Sequence, residues 1–574
     1  MQRAAGRLVG LMGTIGLVAT GCLSSRAPAP ALPTANSPKA DSSTIELLIA
    51  TRLWNTTEPC GCTSTPLGDV ARIAALLKSS PDRSLLLDAG GLRYEPKVLS
   101  ASKLPQARLK ADFIEKTWQE LSAVVMVQSE DLRGEQGLTE LAATKRLVAN
   151  LSGLPEGVTT PHEVRTLLGV KLGIVGITDP SGPWPAGVQV SDPETALGEQ
   201  LAALRGKGVE SVIVLSGMTR EKTRRLARKF PDVKLWVAGA NDKVEDGVEL
   251  PEILGGGALL VTPGHKGERL FHISLHPSAT GSLVWRFVAT PKQRQRQISV
   301  LRERVSAAEK LLAGLQQDTA ADPAFIKTQQ AELQNLQEQL SQLSHAPSHP
   351  EGDGYVTAEL QAITRSLPRD PAIRKKLDEL DQRIGQANLQ ALDGPPPDTL
   401  PGSPRYVGNT NCLGACHFHE AAHKLWQTTQ HGRAHRTLVE VGKELSYDCV
   451  GCHSTAFDTP AGSNLFTINK WQQATTPPVG VGPDLRHVGC EVCHGPGSLH
   501  VAAPGKVKIP TQRPDENTCL GCHTKEHSDT FEWKAYARGI LGEGHGAATR
   551  QTLGEGPTGR ELRQAARKQA AEHQ

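Results

Sequence analysis

Three segments of the chain read Cys-x-x-Cys-His: Cys449/Cys452/His453, Cys490/Cys493/His494 and Cys519/Cys522/His523. Two thiols at this spacing, followed at once by an imidazole, are the attachment signal for a c-type haem. The sulfurs add across the two porphyrin vinyl groups and the His reaches the iron from one face. With 11 Cys and 19 His in 574 residues, random placement gives roughly 0.007 such matches. A fourth segment, Cys412-Leu-Gly-Ala-Cys416-His417, has one residue more between its cysteines, and the longer loop can still present both sulfurs. Paired cysteines also make thiolate zinc sites, but zinc does not require a His directly after the second Cys of every pair. The expected cofactor is therefore four haem c, with His417, His453, His494 and His523 as proximal ligands.

Histidine and cysteine are concentrated accordingly: 13 of the 19 His and eight of the 11 Cys lie after residue 400. Aromatic residues make up 4% of the chain, which suits a domain whose interior is porphyrin. A net charge of +3 is too balanced to argue for nucleic acid. At the N-terminus Arg3 and Arg7 precede the apolar run 8–19 and then Thr20-Gly21-Cys22. This run is too short to span a bilayer and reads as a secretory signal over 1–21. Cys22 after a small residue is similar to a bacterial lipobox, with 22–43, rich in Pro, Ser and Ala, as a tether. The expected location is the bacterial cell envelope, lipid-anchored at the periplasmic face of the outer or inner membrane. That agrees with haem attachment outside the cytoplasm.

The C-terminal residues also resemble a known family. Tyr406-Val-Gly-Asn, Trp426, His431-Gly-Arg-Ala-His435, Gly489-Cys-Glu-Val-Cys-His-Gly-Pro-Gly497, His500 and Glu526-His-Ser528, together with the haem motifs, look like the tetrahaem cytochrome c-554 family. The likeness covers 406–546 and departs at the longer first motif. It implies a mainly α fold and distal iron ligands among His431, His435, His500, His527 and His545. The family also leaves one haem five-coordinate, which implies an open iron here.

From 44 to 290 short runs rich in Val, Ile and Leu alternate with amphipathic stretches, indicating an α/β domain. Strands are expected over 45–50, 85–89, 123–127, 171–178, 211–215, 235–238, 259–262 and 271–275, with helices over 70–78, 105–121, 194–207 and 220–230. Leu85-Leu-Leu-Asp-Ala-Gly-Gly91, Lys171-Leu-Gly-Ile-Val-Gly-Ile-Thr178 and Ser211-Val-Ile-Val-Leu-Ser216 are similar to the calcineurin-like metallophosphoesterases of the 5′-nucleotidase type. Two-metal sites need clustered Asp, His and Asn at strand ends. Against that pattern the chain has Ala50-Thr51-Arg52, Gly90-Gly91, Gln128-Ser129, Ser216 and Gly239-Ala240. The expectation is a sandwich that has lost its metal ligands. On the loop after the first strand, Cys60-Gly-Cys62 could be a redox pair, a soft-metal site or a local disulfide. A ring this small is strained and easily reduced.

The remaining elements position these parts. Ile298, Leu301, Val305, Ala308, Leu312 and Leu315, then Leu333, Leu336, Leu340 and Leu343 across a break at Asp322-Pro323, predict a helical hairpin or coiled coil over 291–346. It would serve as a spacer or as an arm for a homodimer. Residues 355–392 read as a strand and helix packing on the N-terminal domain, 393–405 as a Pro-rich linker, and 547–574 as a polar tail. Three functions compete. One is an electron-transfer lipoprotein with redox partners in the periplasm or membrane. The second is a reductase of a small nitrogen or sulfur oxyanion at an open haem. The third is a nucleotide hydrolase with accessory haems.

Overall fold

The computed structural model describes residues 43–572 apart from 60, 97–98, 133–144, 241–246, 279, 281, 318–321, 346–353, 416 and 418–419. Cys22 and its tether, Cys60 and Cys416 thus lie outside the described residues. Among those described, no helix is long and apolar enough to cross a membrane.

Two sheets stack face to face. One has the order 355–362, 269–276, 45–50, 84–88 and 124–125; the other runs 252–253, 259–261, 235–238, 211–216, 170–177 and 162–167. The two-residue period of a strand assigns every side chain to a layer. On strand Ile45–Ala50, Ile45, Leu47 and Ile49 enter the core between the sheets, while Leu48 and Ala50 face the helices outside. Strand Ser211–Ser216 does the same, with Ile213 and Leu215 inward and Val212 and Val214 outward. The outer helices are Val70–Lys78 and Leu104–Glu120 on one side and Pro193–Gly206 and Arg220–Ala227 on the other. This gives four layers, helix, sheet, sheet and helix. The strand 162–167, which the sequence reading lacks, pairs antiparallel with 170–177. Its half-buried edge position carries a weak apolar pattern.

Strand Tyr355–Ala362 closes the edge of the first sheet, antiparallel to Arg269–His276. It leads into helix Pro371–Gln390, whose start is set by Pro371 and by Asp370 accepting from the amide of Ile373 at 2.9 Å. This helix buries Ile373, Leu377, Leu380 and Ile384 in the same layer as Phe113 and Trp118. Helices Pro291–Gln317 and Pro323–His345 pack against each other, with Ile298, Val305 and Leu336 buried. At its root, Gln293 donates to the carbonyl of Ala358 at 2.7 Å.

Beyond 406 the chain is a series of short helices, from Asn409–Ala415 to Gly559–Glu572. Among the described residues its apolar cluster, Tyr447, Val450, Leu465 and Ile468, rests against Leu389 and Leu392 of the preceding segment. The linker is strapped to this region, since Asn464 donates to Gly394 O and Ala461 N to Pro397 O, both at 2.8 Å. Polar contacts fasten the region to the sandwich. Lys443 reaches Glu58 at 3.1 Å and Asp381 at 2.7 Å, and Glu58 also pairs with Arg369 and Arg374. Gln106 Oε1 accepts from both Asn388 Nδ2 and Tyr447 N, at 2.9 and 3.0 Å.

Candidate functional site

Two of the three Cys-x-x-Cys-His runs coil into helix, which puts residues three apart on one face, and the last begins on a helix that ends at Leu520. Cys412 lies on Asn409–Ala415, the second motif ends helix Val450–His453, the third is Cys490–His494, and Cys519 lies on Glu516–Leu520. The third motif is held most firmly. Asn409 Oδ1 accepts from Cys490 N at 2.9 Å. The buried Glu491 carboxylate accepts from the amides of Val407, Gly408 and Gly497 at 2.7–3.1 Å. Gly495 then turns the chain at φ 80°, where an added Cβ would come within 3.0 Å of Pro510.

Three of the four motif histidines, His453, His494 and His523, are oriented through one ring nitrogen. Nδ1 of His453 bonds to Ala434 O and Nδ1 of His494 to Thr511 O, both at 2.7 Å. His500 and His545 meet Val507 O and Ile540 O at 2.6 and 2.7 Å. A carbonyl oxygen only accepts, so Nδ1 carries the proton in these rings and Nε2 presents its lone pair. For His523 the Nδ1 partner is Ser528 Oγ at 3.1 Å. Burial, then the neighbouring His431, pull its pKa down to about 4; burial also depresses His431 and His435. These imidazoles are neutral at pH 7, the form that binds metal.

Three of the motif histidines face a second imidazole. Ring centroids are 6.3 Å apart for His417 and His500, 6.1 Å for His431 and His523, and 6.1 Å for His494 and His545. Imidazole nitrogen binds a first-row metal at about 2.0–2.1 Å, so two rings on opposite sides of one ion have centroids about 6.3 Å apart. The residues present therefore fit an axially ligated metal at three of the four motifs. Among the described residues no imidazole is paired in this way with His453. His435 instead stands 6.2 Å from His487, a residue outside the sequence-derived ligand set. Both lack a hydrogen-bond partner at Nδ1. His527 N donates to Thr524 O at 3.0 Å.

The cysteines connect the motifs. Cys490 hydrogen-bonds Cys412, and Cys522 hydrogen-bonds Cys452. Cys493 is within electrostatic reach of Cys519 and Cys522. The spatial order along the site is thus the motif of His417, then of His494, then of His523, then of His453. Sequence spacing supplied the motifs; the order, the His pairs and the Glu491 clamp needed contacts between residues far apart in the chain.

At the end of the sandwich the strand termini converge, and the described side chains there are mostly engaged with one another. Thr51 Oγ1 donates to Gly239 O at 2.9 Å, and Gln128 Nε2 to Ala89 O at 2.6 Å. Ser216 pairs with Thr223 at 2.9 Å. Asp88 is committed to Trp118 Nε1 at 2.8 Å and Gly90 N at 2.9 Å, and burial raises its pKa to about 6. The buried Arg52 guanidinium lies 5.4 Å from the Trp54 ring, and that ring stacks on His265. A buried cation there repels divalent ions. Among the described residues, no group of three His, Cys, Asp or Glu side chains could hold a metal ion.

No protein-family profile matches the chain, and no curated protein does. Solved structures with similarity include a 5′-nucleotidase precursor from Thermus thermophilus, at 17% identity and a TM-score of 0.41, covering 66% of this chain and 67% of that one. The sulfate thiohydrolase SoxB of Thermus thermophilus follows at 12% identity and a TM-score of 0.39, with 58% and 60% covered. The calcineurin-like phosphoesterase YfkN from Bacillus subtilis has 18% identity and a TM-score of 0.33, with 42% and 87% covered. The chain joins an α/β domain of two stacked sheets to a helical C-terminal region.

Proposed function

We propose that the chain is an exported multihaem c-type cytochrome that transfers electrons through four covalently attached haems. The supporting observation is the set of opposed imidazoles at 6.1–6.3 Å, each including the His of a haem motif. The thiols of the seven described motif cysteines stand in for thioethers. When bound, haem supplies reversible one-electron chemistry. The protein's part is to hold His494, His500, His523 and His545 by their Nδ1 hydrogen bonds and to bring the four motifs beside one another. Bis-imidazole ligation closes both iron faces to small molecules and favours electron transfer over catalysis.

The motif of His453, at one end of the row, supports a second reading, in which that iron is five-coordinate and reduces a small nitrogen or sulfur oxyanion. In both readings the chain is anchored in the cell envelope through a lipid on Cys22 and exchanges electrons with periplasmic or membrane proteins. The sandwich serves as a platform. A pyridine haemochrome assay with intact mass on exported protein tests the proposal: four haems are expected, with three low-spin and one high-spin iron by electron paramagnetic resonance. A mature protein without Soret absorbance ends it. Ligand-induced shifts confined to the high-spin iron would favour the reductase. Metal-dependent phosphate release from nucleotides, retained after Cys522→Ser, would establish the hydrolase instead.

A further inference from the structure

Strand 162–167, the half-buried edge of the second sheet, borders two adjoining cavities that the function just proposed does not use. The larger, about 470 Å³, is lined by His162, Lys171 and Lys207 together with Lys145, Thr160 and Glu163. The smaller, about 240 Å³, lies at the start of strand 124–125 and shares Lys145, Thr160 and Glu163 with the first. Neither is lined by Thr51, Gln128, Ser216 or Gly239, where the strand ends converge. Both are cationic. An ammonium only donates, so Lys207 donates to His162 Nε2 at 2.7 Å, and His162 Nδ1 then donates to Gln200 Oε1 at 2.7 Å. Among the described residues Lys145, Lys171 and Lys207 have no carboxylate partner, and Glu163 is paired with Arg165 at 2.8 Å. In the smaller cavity Arg146, only 2% exposed, shares Glu115 Oε1 with Arg93. Asp88, also within electrostatic reach of Arg146, is committed to Trp118 and Gly90. The Nε atoms of Arg146 and Arg165 are buried with no hydrogen-bond partner. A buried guanidinium N–H without an acceptor is costly, and an anion seated in the cavity removes that cost.

We infer that these joined cavities bind a small anion bearing two or more phosphoryl groups, held by Arg146, Lys145, Lys171 and Lys207. Three ammoniums without carboxylate partners call for several negative charges in a small volume. A phosphoryl group carries about 1.5 to 2 of them, a carboxylate one. The edge of a guanidinium and the compact charge of an ammonium both suit phosphoryl oxygens. The larger cavity falls within the span of small-molecule sites, about 300–1,000 Å³. Nothing local in the sequence marks the site. Lys145 precedes strand 146–147, Lys171 lies on 170–177 and Lys207 follows helix Pro193–Gly206, so only the fold brings them to one cavity. The sandwich thereby gains a ligand-binding role of its own, independent of the haem reading.

The test titrates the intact exported protein with pyrophosphate in a calorimeter at low salt. Saturable binding of one pyrophosphate per chain is expected, weakened by added salt. Lys207→Glu and Lys171→Glu should each bind at least about tenfold more weakly, while Lys207→Arg, which keeps the charge, should retain binding. Both lysines are exposed, so thermal melting of these variants should match wild type. Bound pyrophosphate should also protect Lys145, Lys171 and Lys207 from acetylation, read by mass spectrometry, and leave Lys292, 87% exposed elsewhere, as reactive as before. Absence of saturable binding would overturn the inference, as would equal affinity in wild type and Lys207→Glu or equal protection of Lys292. Succinate binding as tightly as pyrophosphate would overturn the phosphoryl assignment.

Discussion

Residues 44–290 and 406–546 solve the same problem with different materials. Among the described residues the first segment buries sixty apolar side chains and the second ten. The sandwich stacks them in three contiguous layers, whereas the C-terminal region has one small cluster, shared with the segment before it. A segment of about 140 residues ordinarily needs a large apolar interior to offset its conformational entropy. The C-terminal region has placed cysteines and histidines where that interior would be. The comparison teaches that the two segments are not stabilised alike: the proposed haems would supply the interior that side chains do not fill in the second.

The largest effect that could break this contrast concerns the group itself. Protein produced without haem attachment should lose protection from proteolysis and hydrogen exchange throughout 406–546 while 44–290 stays protected. Equal protection of both segments would show that the second folds without porphyrin. The reciprocal change, Phe271→Ala in the fully buried inter-sheet core, should destabilise the sandwich by about 3–5 kcal/mol. Chemical denaturation should report this with haem absorbance unchanged until the sandwich unfolds.

A smaller effect involves Asp88, held up to about 6 by burial. Its acid form is favoured in the folded state, so its contribution is greatest below the unfolded pKa and is lost as pH rises through about 6. Between pH 4 and 7 the sandwich should lose on the order of 2–3 kcal/mol from this group. In Asp88→Asn this slope should vanish from thermal melts. Smallest is Lys443→Ala, which leaves Glu58 with its two arginines. Burial raises the Glu58 carboxyl, but Lys443, Arg374 and Arg369 outweigh it and keep it ionised below the ordinary carboxylate range. The cost should be about 1 kcal/mol, diminished by salt, and read as faster exchange where the two segments meet.

The amino-acid sequence alone determined the elements whose signal is local. Alternation on strands such as 45–50 and 211–216, the seam of Ile298, Val305 and Leu336, and the Cys-x-x-Cys-His spacing each report on residues within one or two turns of chain. Tertiary structure decided which imidazole faces which: His431 and His523 are separated by 92 positions yet oppose one another, and His435 meets His487 rather than a motif histidine. It also decided that Gly61 and Ser64 rest against Arg563 and Asp529. No periodicity encodes such pairings, because a metal ligand or an ion pair needs one side chain at one point in space. Only the folded chain brings that point within reach.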